Sequence, residues 1–384
     1  MGGHAVTRTS RAEDSRETHE SNEAPGASRV PWRLSRRTLT HLVGLVVVLL
    51  LAVASTLYHP PYVILRAGPA VDTLGSSSHG ELVKVTGLTT YPTSGALDFT
   101  TVAQYGGPGF EIDVWDLLVA SLDSDAQIVP RDELYPPDAT RDQVKEMTTE
   151  QMAGSQHAAA TVALRAIGKP ERALVAQVAP DGPAAGILRA KDVIVSVAGT
   201  KITSAPQVST LVQQAGDTVA MTVERDGKAT ELSVPTKVVQ ATGPTGQTQS
   251  RRMIGIALEA KFDDSIKVTI DAGDVGGPSA GMMFALAVYD KITPGAMTGG
   301  QKIAGTGTMA IDGTVGPIGG ITHKMVGAKE AGAGWFLAPA QDCAEVVGHV
   351  PDGLQVAKVA TFDEARAAVK SIAAGTGASL PTCG

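Results

Sequence analysis

Residues 271–290 read DAGDVGGPSAGMMFALAVYD, and residues 305–334 read GTGTMAIDGTVGPIGGITHKMVGAKEAGAG. Ahead of the first stretch, the alternation of Ile266, Val268 and Ile270 predicts a strand. Gly276, Gly277 and Pro278 then predict a tight turn, and Ser279 opens an apolar helix. A serine at a helix start is ordinarily an N-cap. Here the glycines before it let another backbone approach closely, and the N–H groups of a helix N-terminus can hold a developing oxyanion. A nucleophilic serine still needs a base. A triad would use a histidine oriented by a carboxylate; His157, His323 and His349 are available, none in a recognisable setting. The second stretch reads as strand, Gly-rich turn and a helix beginning near Thr322, with Lys324 in its first turn. The positive end of the helix dipole, and burial beneath the apolar run Ile318 to Ile321, both disfavour an ammonium there. The lysine is thereby moved toward what a general base needs near neutral pH. An exposed first-turn lysine is the plainer reading, and a Ser–His pair through His323 is a competitor. Adjacent helical residues point about 100° apart, so His323 and Lys324 cannot serve one site.

The 384 residues are 43% hydrophobic and 18% charged, which predicts a folded chain of two or three units. Aromatics are only 4%, so the cores must rest on Val, Ile, Leu and Ala. The net charge of −7 leaves an acidic body behind a slightly basic N-terminus, which argues against non-specific nucleic-acid binding. Residues 39–58, LTHLVGLVVVLLLAVASTLY, contain no acid, lysine or arginine. Twenty helical residues cover about 30 Å, a bilayer core. Arg29, Arg33, Arg36 and Arg37 precede the segment and no Lys or Arg follows before Arg66, so the positive-inside bias predicts a cytoplasmic N-terminus, with residues 1–38 as a polar, disordered tail. Localisation is then single-pass in the cell membrane, with everything after residue 58 extracytoplasmic. Ala52-Val53-Ala54 also fits a signal-peptide cleavage site, and a buried core helix is the third reading. Both cysteines, Cys343 and Cys383, fall beyond the span, in a compartment that permits disulfides. A bridge would tie the tail 374–384 to the last domain; two free thiols are the alternative.

Residues 59–170 begin with short β-like runs (Tyr62 to Leu65, Leu82 to Val85) and end in a helix. Thr148 and Gln151 have capping-box spacing, Met152, Ala159, Val162 and Ala163 share a face, and Gly168 and Pro170 mark the stop. Residues 171–238 read as strands, a short helix and a hairpin around Asp226-Gly227. Within them Asp181, Gly182, Pro183, Ala184, Ala185, Gly186, Asp192, Val193, Ile194 and Gly199 resemble the PDZ domains of bacterial proteases, with Lys191 where that pattern has glycine. The resemblance implies capture of an extended peptide by strand addition, here beside Ala173, Leu174 and Val175, with the carboxylate nest near Gly168 to Leu174. A PDZ fold serving only as a spacer is the competing reading. Residues 239–251, VQATGPTGQTQSR, read as a linker or long loop.

GPSAG, a Thr-Gly pair and PIGG followed by a lysine, in that order across about Asp271 to Pro339, resemble the proteolytic domain of the Lon family, which uses a serine–lysine dyad. The resemblance implies that Ser279 is the nucleophile, Lys324 the base, and Thr306 a supporting group near the amine, with Gly277 and Pro278 shaping the turn. Many relatives have an acidic residue where this chain has Gly276. The phosphate loop of Lon ATPases needs G-x-x-x-x-G-K-[ST], a run not found in these residues. With the span and the PDZ-like stretch, the arrangement looks like the membrane-anchored, ATP-independent Lon-like proteases of Gram-positive, actinobacterial type. The expected fold is α+β: one transmembrane helix, then a discontinuous Lon-type domain (59–170 and 252–373) with a PDZ domain inserted. Polypeptide substrates, no cofactor or metal, no ATP and no nucleic acid follow as expectations, with assembly of identical copies as one arrangement. The rival class is a non-catalytic envelope scaffold.

Overall fold

The computed structural model describes residues 35–77, 80–242 and 248–384, so most of the 1–38 segment lies outside the described residues. The chain divides into two compact units, Met1–Ala54 and Ser55–Gly384. α1 (Arg36–Leu57) is the helix expected from Leu39, begun at Arg36; it is long and apolar enough to cross a membrane and contains no buried residue.

β1 (Tyr62–Asp72), β2 (Val83–Thr86), β3 (Ala96–Tyr105), α2 (Val114–Ser121), β4 (Gln127–Pro130) and α3 (Arg141–Ala166) follow. α3 starts earlier than its apolar face predicted. Its capping box is Thr140 with Gln143, each side chain accepting the other residue's backbone N–H. Nothing between Arg141 and Thr148 breaks a helix, so the first adequate cap prevails. Thr148 is interior, its hydroxyl donating to the Lys145 carbonyl.

Next come β5 (Arg172–Val178), β6 (Val193–Val197), α4 (Ala205–Gln213), β7 (Thr218–Arg225), β8 (Lys228–Pro235), β9 (Lys237–Thr242), β10 (Thr248–Met253) and β11 (Ile256–Lys261). An antiparallel sheet in the order β8-β7-β6-β5-β11 encloses a core that includes Val175, Ile194, Val208, Met221 and Val223. Lys191, where the PDZ pattern has glycine, takes a left-handed backbone with φ 75°. Two expectations are corrected here. The 239–251 linker is replaced by a two-stranded ribbon, β9 pairing with β10 from Lys237↔Met253 to Thr242↔Thr248; residues 243–247 lie outside the described ones. β10 is almost wholly exposed, so no buried face imposed an apolar alternation. The second correction concerns Ala173, Leu174 and Val175. β11 pairs with β5 from Ile256↔Val178 to Lys261↔Arg172, while β6 holds the other edge through Ala173↔Ile194 and Leu174↔Val193. β5 is an interior strand, and no peptide can add to it.

β12 (Lys267–Ile270), α5 (Gly281–Ile292), β13 (Lys302–Gly305), α6 (Ile321–Glu330), β14 (Trp335–Pro339), β15 (Gln355–Val359) and α7 (Phe362–Ala373) complete the chain. A second sheet runs β15-β14-β13-β3-β1-β4. Its first four strands are parallel, and β1 and β4 are antiparallel additions. β12 pairs with β2. Strands from before β5 and after β11 therefore share sheets. α5 is buried from Gly281 through Ile292, and Phe284 meets Phe99 of β3 edge-on at 5.4 Å. A helix apolar all round is a core helix, and each large side chain it buries contributes roughly 1.5–3 kcal/mol.

Candidate active site

Ser279 sits in the turn that leads into α5, and both sides of that turn are held. On one side α3 supplies the grip: the Thr148 carbonyl accepts the Gly277 N–H (3.1 Å), and the buried Ser155 hydroxyl donates to the Pro278 carbonyl (3.0 Å). Gly277 has φ 87°, a conformation that favours glycine. A side chain at Gly276 would bring its Cβ to 2.9 Å from Thr148 Cβ, so an acidic side chain has no room at this position. Asp274 is exposed and offers no replacement. On the other side, the Ser279 carbonyl accepts the Gly307 N–H (2.8 Å) and the Thr306 hydroxyl (3.0 Å), and Met282 N–H donates to the Gly307 carbonyl (3.1 Å).

Lys324 enters from α6. Gly320 begins that helix in a left-handed conformation, and the Lys324 N–H closes its first turn on the Gly320 carbonyl. The amine Nζ lies 2.8 Å from Ser279 Oγ and 3.1 Å from Thr306 Oγ1. Thr306 is fully buried and Lys324 is 3% exposed. Burial pulls the Lys324 pKa down to about 8, opposed by the charge of Asp342. The Thr306 hydroxyl spends its proton on the Ser279 carbonyl, so it can only accept from the amine. This leaves the nitrogen lone pair of a neutral Lys324 for the serine proton.

His323, next in sequence, turns away to Gln127, with Nε2 and Oε1 3.2 Å apart, and burial lowers its pKa. His157 and His349 are exposed. Sequence reasoning missed three contributors: Ser155, Thr148 and Asp342. Asp342 follows β14, is 5% exposed, and its Oδ2 accepts the Ile318 N–H (3.1 Å) in the Gly-rich turn that launches α6. Burial pushes its pKa up to about 6, against the Ile318 hydrogen bond; Glu345 adds to the rise and Lys324 opposes it. Its only sequence signal is an acid between the strand-ending Pro339 and Cys343. Cys343 and Cys383 are joined in a disulfide.

Residues 245–370 match the Lon protease (S16) C-terminal proteolytic domain. The chain carries a Lon-type proteolytic domain. Residues 146–236 match a PDZ domain, so the β11 strand that closes the PDZ sheet falls within the span of the Lon match. Among curated proteins, a Lon protease of Lachnoclostridium phytofermentans is 36% identical over 107 residues, 27% of this chain and 13% of that one. Lon protease 1 of Sorangium cellulosum is 36% identical over 119 residues, 30% of this chain and 14% of that protein. The chain thus spans about a seventh of the length of these relatives. Among solved structures, the PDZ domain of an SdrC-like protein from Listeria innocua is 29% identical, covering 23% of this chain and 92% of that one at a TM-score of 0.19. The Ser279 turn is held from both sides of the β5–β11 sheet: Ser279, Thr306 and Lys324 come from after it in the chain, while Thr148 and Ser155 come from α3, which precedes β5 and overlaps the start of the PDZ match.

Proposed function

We propose that this chain is a membrane-anchored, ATP-independent serine endopeptidase whose catalytic unit lies on the extracytoplasmic side. The observation that carries the reading is the 2.8 Å approach of a buried lysine amine to Ser279 Oγ. Neutral Lys324 takes the hydroxyl proton as Ser279 attacks a peptide carbonyl, and the same group then protonates the leaving amine. Backbone N–H groups at the head of α5 receive the oxyanion. Water, activated by Lys324, hydrolyses the acyl-enzyme. Without an unfoldase the substrates are unfolded segments, tails and loops. The arginines before α1 support the orientation.

The PDZ domain selects or docks these substrates on β11, one of the two edge strands of its sheet. Ile256 and Leu258 of β11 and Leu211 of α4 are half-buried beside that edge. At the head of the strand, the Ile254 and Gly255 carbonyls are already taken by the Ala184 and Ala179 N–H groups (2.9 and 2.8 Å). Gly255 itself has φ 76°, the kind of turn in which successive N–H groups can capture a terminal carboxylate.

Two measurements test this function. The full chain in detergent is expected to hydrolyse an unstructured peptide without nucleotide, with a lower KM when the peptide ends in a free carboxylate than in an amide. A strict requirement for ATP would refute the first part, and equal KM values the second. The pH profile is the second measurement. A lysine base is active when neutral, so kcat/KM is expected to rise through pH about 8, the value set by Lys324 burial. Above about pH 6 Asp342 is ionised and its charge favours the ammonium. Asp342→Asn removes that charge, so the midpoint is expected to move to lower pH; movement upward counts against the assignment.

A further inference from the structure

α2 (Val114–Ser121) has an apolar side that, among the described residues, is left uncovered. Leu117 and Ala120 point inward, packing with Ile64, Ile112 and Ile128. The other side presents Val114, Trp115, Leu118, Val119 and then Leu122, which are 38%, 49%, 49%, 60% and 82% exposed. That spacing marks one helix face. Phe110, in the preceding loop, carries the Arg141 guanidinium over its ring at 4.5 Å and is not part of this face. Scattered exposed apolar residues mean little, but a contiguous aromatic and aliphatic face marks a docking surface.

Its location indicates the occupant. Trp115 Nε1 donates to Ser55 Oγ at 2.9 Å, and Ser55 lies in the last turn of α1. His59 Nδ1 lies 3.4 Å from Glu111 Oε2, and Gln127, at the start of the strand that follows α2, pairs with Leu65 of β1. α2 is therefore fastened to the stretch of chain where a span ending at Leu57 would leave the bilayer. Tyr58 and Tyr62, in that same stretch, are also exposed. Tryptophan and tyrosine gather at the level of the headgroups because their rings are apolar and their N–H and O–H groups need polar partners.

We propose that α2 lies in the outer membrane–water interface, with Trp115, Leu118, Val119 and Leu122 set among the headgroups and upper acyl chains, so that the catalytic unit is seated on the bilayer as well as tethered to it. This rests on the reading of α1 as a span. The bilayer is the occupant because the chain itself brings it to this face; a second copy of the chain is the competing occupant.

The test uses the full chain in phosphatidylcholine vesicles whose acyl chains carry bromine at shallow or deep positions. The background is Trp32→Phe with Trp335→Phe, which leaves Trp115 as the only tryptophan. Trp115 emission is expected to be quenched more by shallow than by deep bromines. Leu118→Asp with Val119→Asp, at exposed positions that spare the core, is expected to reduce the quenching several-fold while the protein still floats with the vesicles. A floating protein with unquenched Trp115 overturns the interfacial helix and leaves the anchor standing. A protein that does not float overturns both. Cross-linking between copies through position 118, with Trp115 unquenched, assigns the face to a self-interface and also overturns the proposal.

Discussion

Ser279→Ala and Lys324→Met are each expected to reduce kcat/KM for peptide hydrolysis by about 10⁴-fold or more, an increase of about 5.5 kcal/mol in barrier height. The two changes are not expected to add, because nucleophile and base act in one proton transfer across the 2.8 Å Nζ to Oγ contact. Lys324→Met matters most, because it separates catalysis from folding. Methionine fills nearly the same volume, and the variant no longer buries an amine in a site 3% exposed. Stability is therefore expected to be unchanged or higher while activity disappears. Lys324→Arg is not expected to rescue activity, since a guanidinium stays protonated at all working pH values. The measurements are steady-state hydrolysis and a thermal melt on the same samples. Retained activity in either single variant would sink the dyad, and a large loss of melting temperature in Lys324→Met would contradict the burial argument.

The second large effect concerns the Cys343–Cys383 disulfide, which closes a loop with a sequence separation of 40. On the chain-entropy account a loop of that length stabilises the folded state by about 4 kcal/mol, by restricting the unfolded chain. Cys383→Ala is expected to lose an amount of that order in denaturant titration of the oxidised protein. Adding reductant to the unsubstituted chain should give a similar loss. The tail has further attachments, since the Lys358 N–H donates to the Pro381 carbonyl at 2.8 Å. Asp342, immediately before Cys343, also keeps its hydrogen bond from Ile318. Hydrolysis at 25 °C is therefore expected to survive in the variant even as stability falls. A titration that does not change between oxidised and reduced protein would refute the estimate.

The legible and illegible parts of this molecule divide along a physical line. The Ser279 turn was readable because Gly-Gly-Pro before an apolar run is a local instruction. The start of α6 was readable for a similar reason, since Pro317, Ile318, Gly319 and Gly320 form a turn that cannot continue as a strand. The start of α3 was misplaced because two threonines offered equivalent caps, and local spacing cannot rank them. The ribbon at β9 and β10 has the composition of a linker because no described residue of either strand is buried, so no face patterns them. The PDZ resemblance implies a docking edge on β5, the first strand of that stretch. The strand that covers it, β11, comes nearly eighty residues later, and nothing within β5 indicates whether its edge is free.

From the sequence alone came the apolar segment, the PDZ-like stretch and the residue types able to act as nucleophile and base, because composition, turn chemistry and helix starts are properties of neighbouring residues. The tertiary structure decided that Lys324 reaches Ser279, that Thr306 accepts from its amine, that Ser155 of α3 holds the Ser279 turn, and that the charge of Asp342 acts on the amine. These depend on strand pairing and desolvation between segments far apart in the chain, and the pKa of a lysine is set by what surrounds it rather than by its neighbours in sequence.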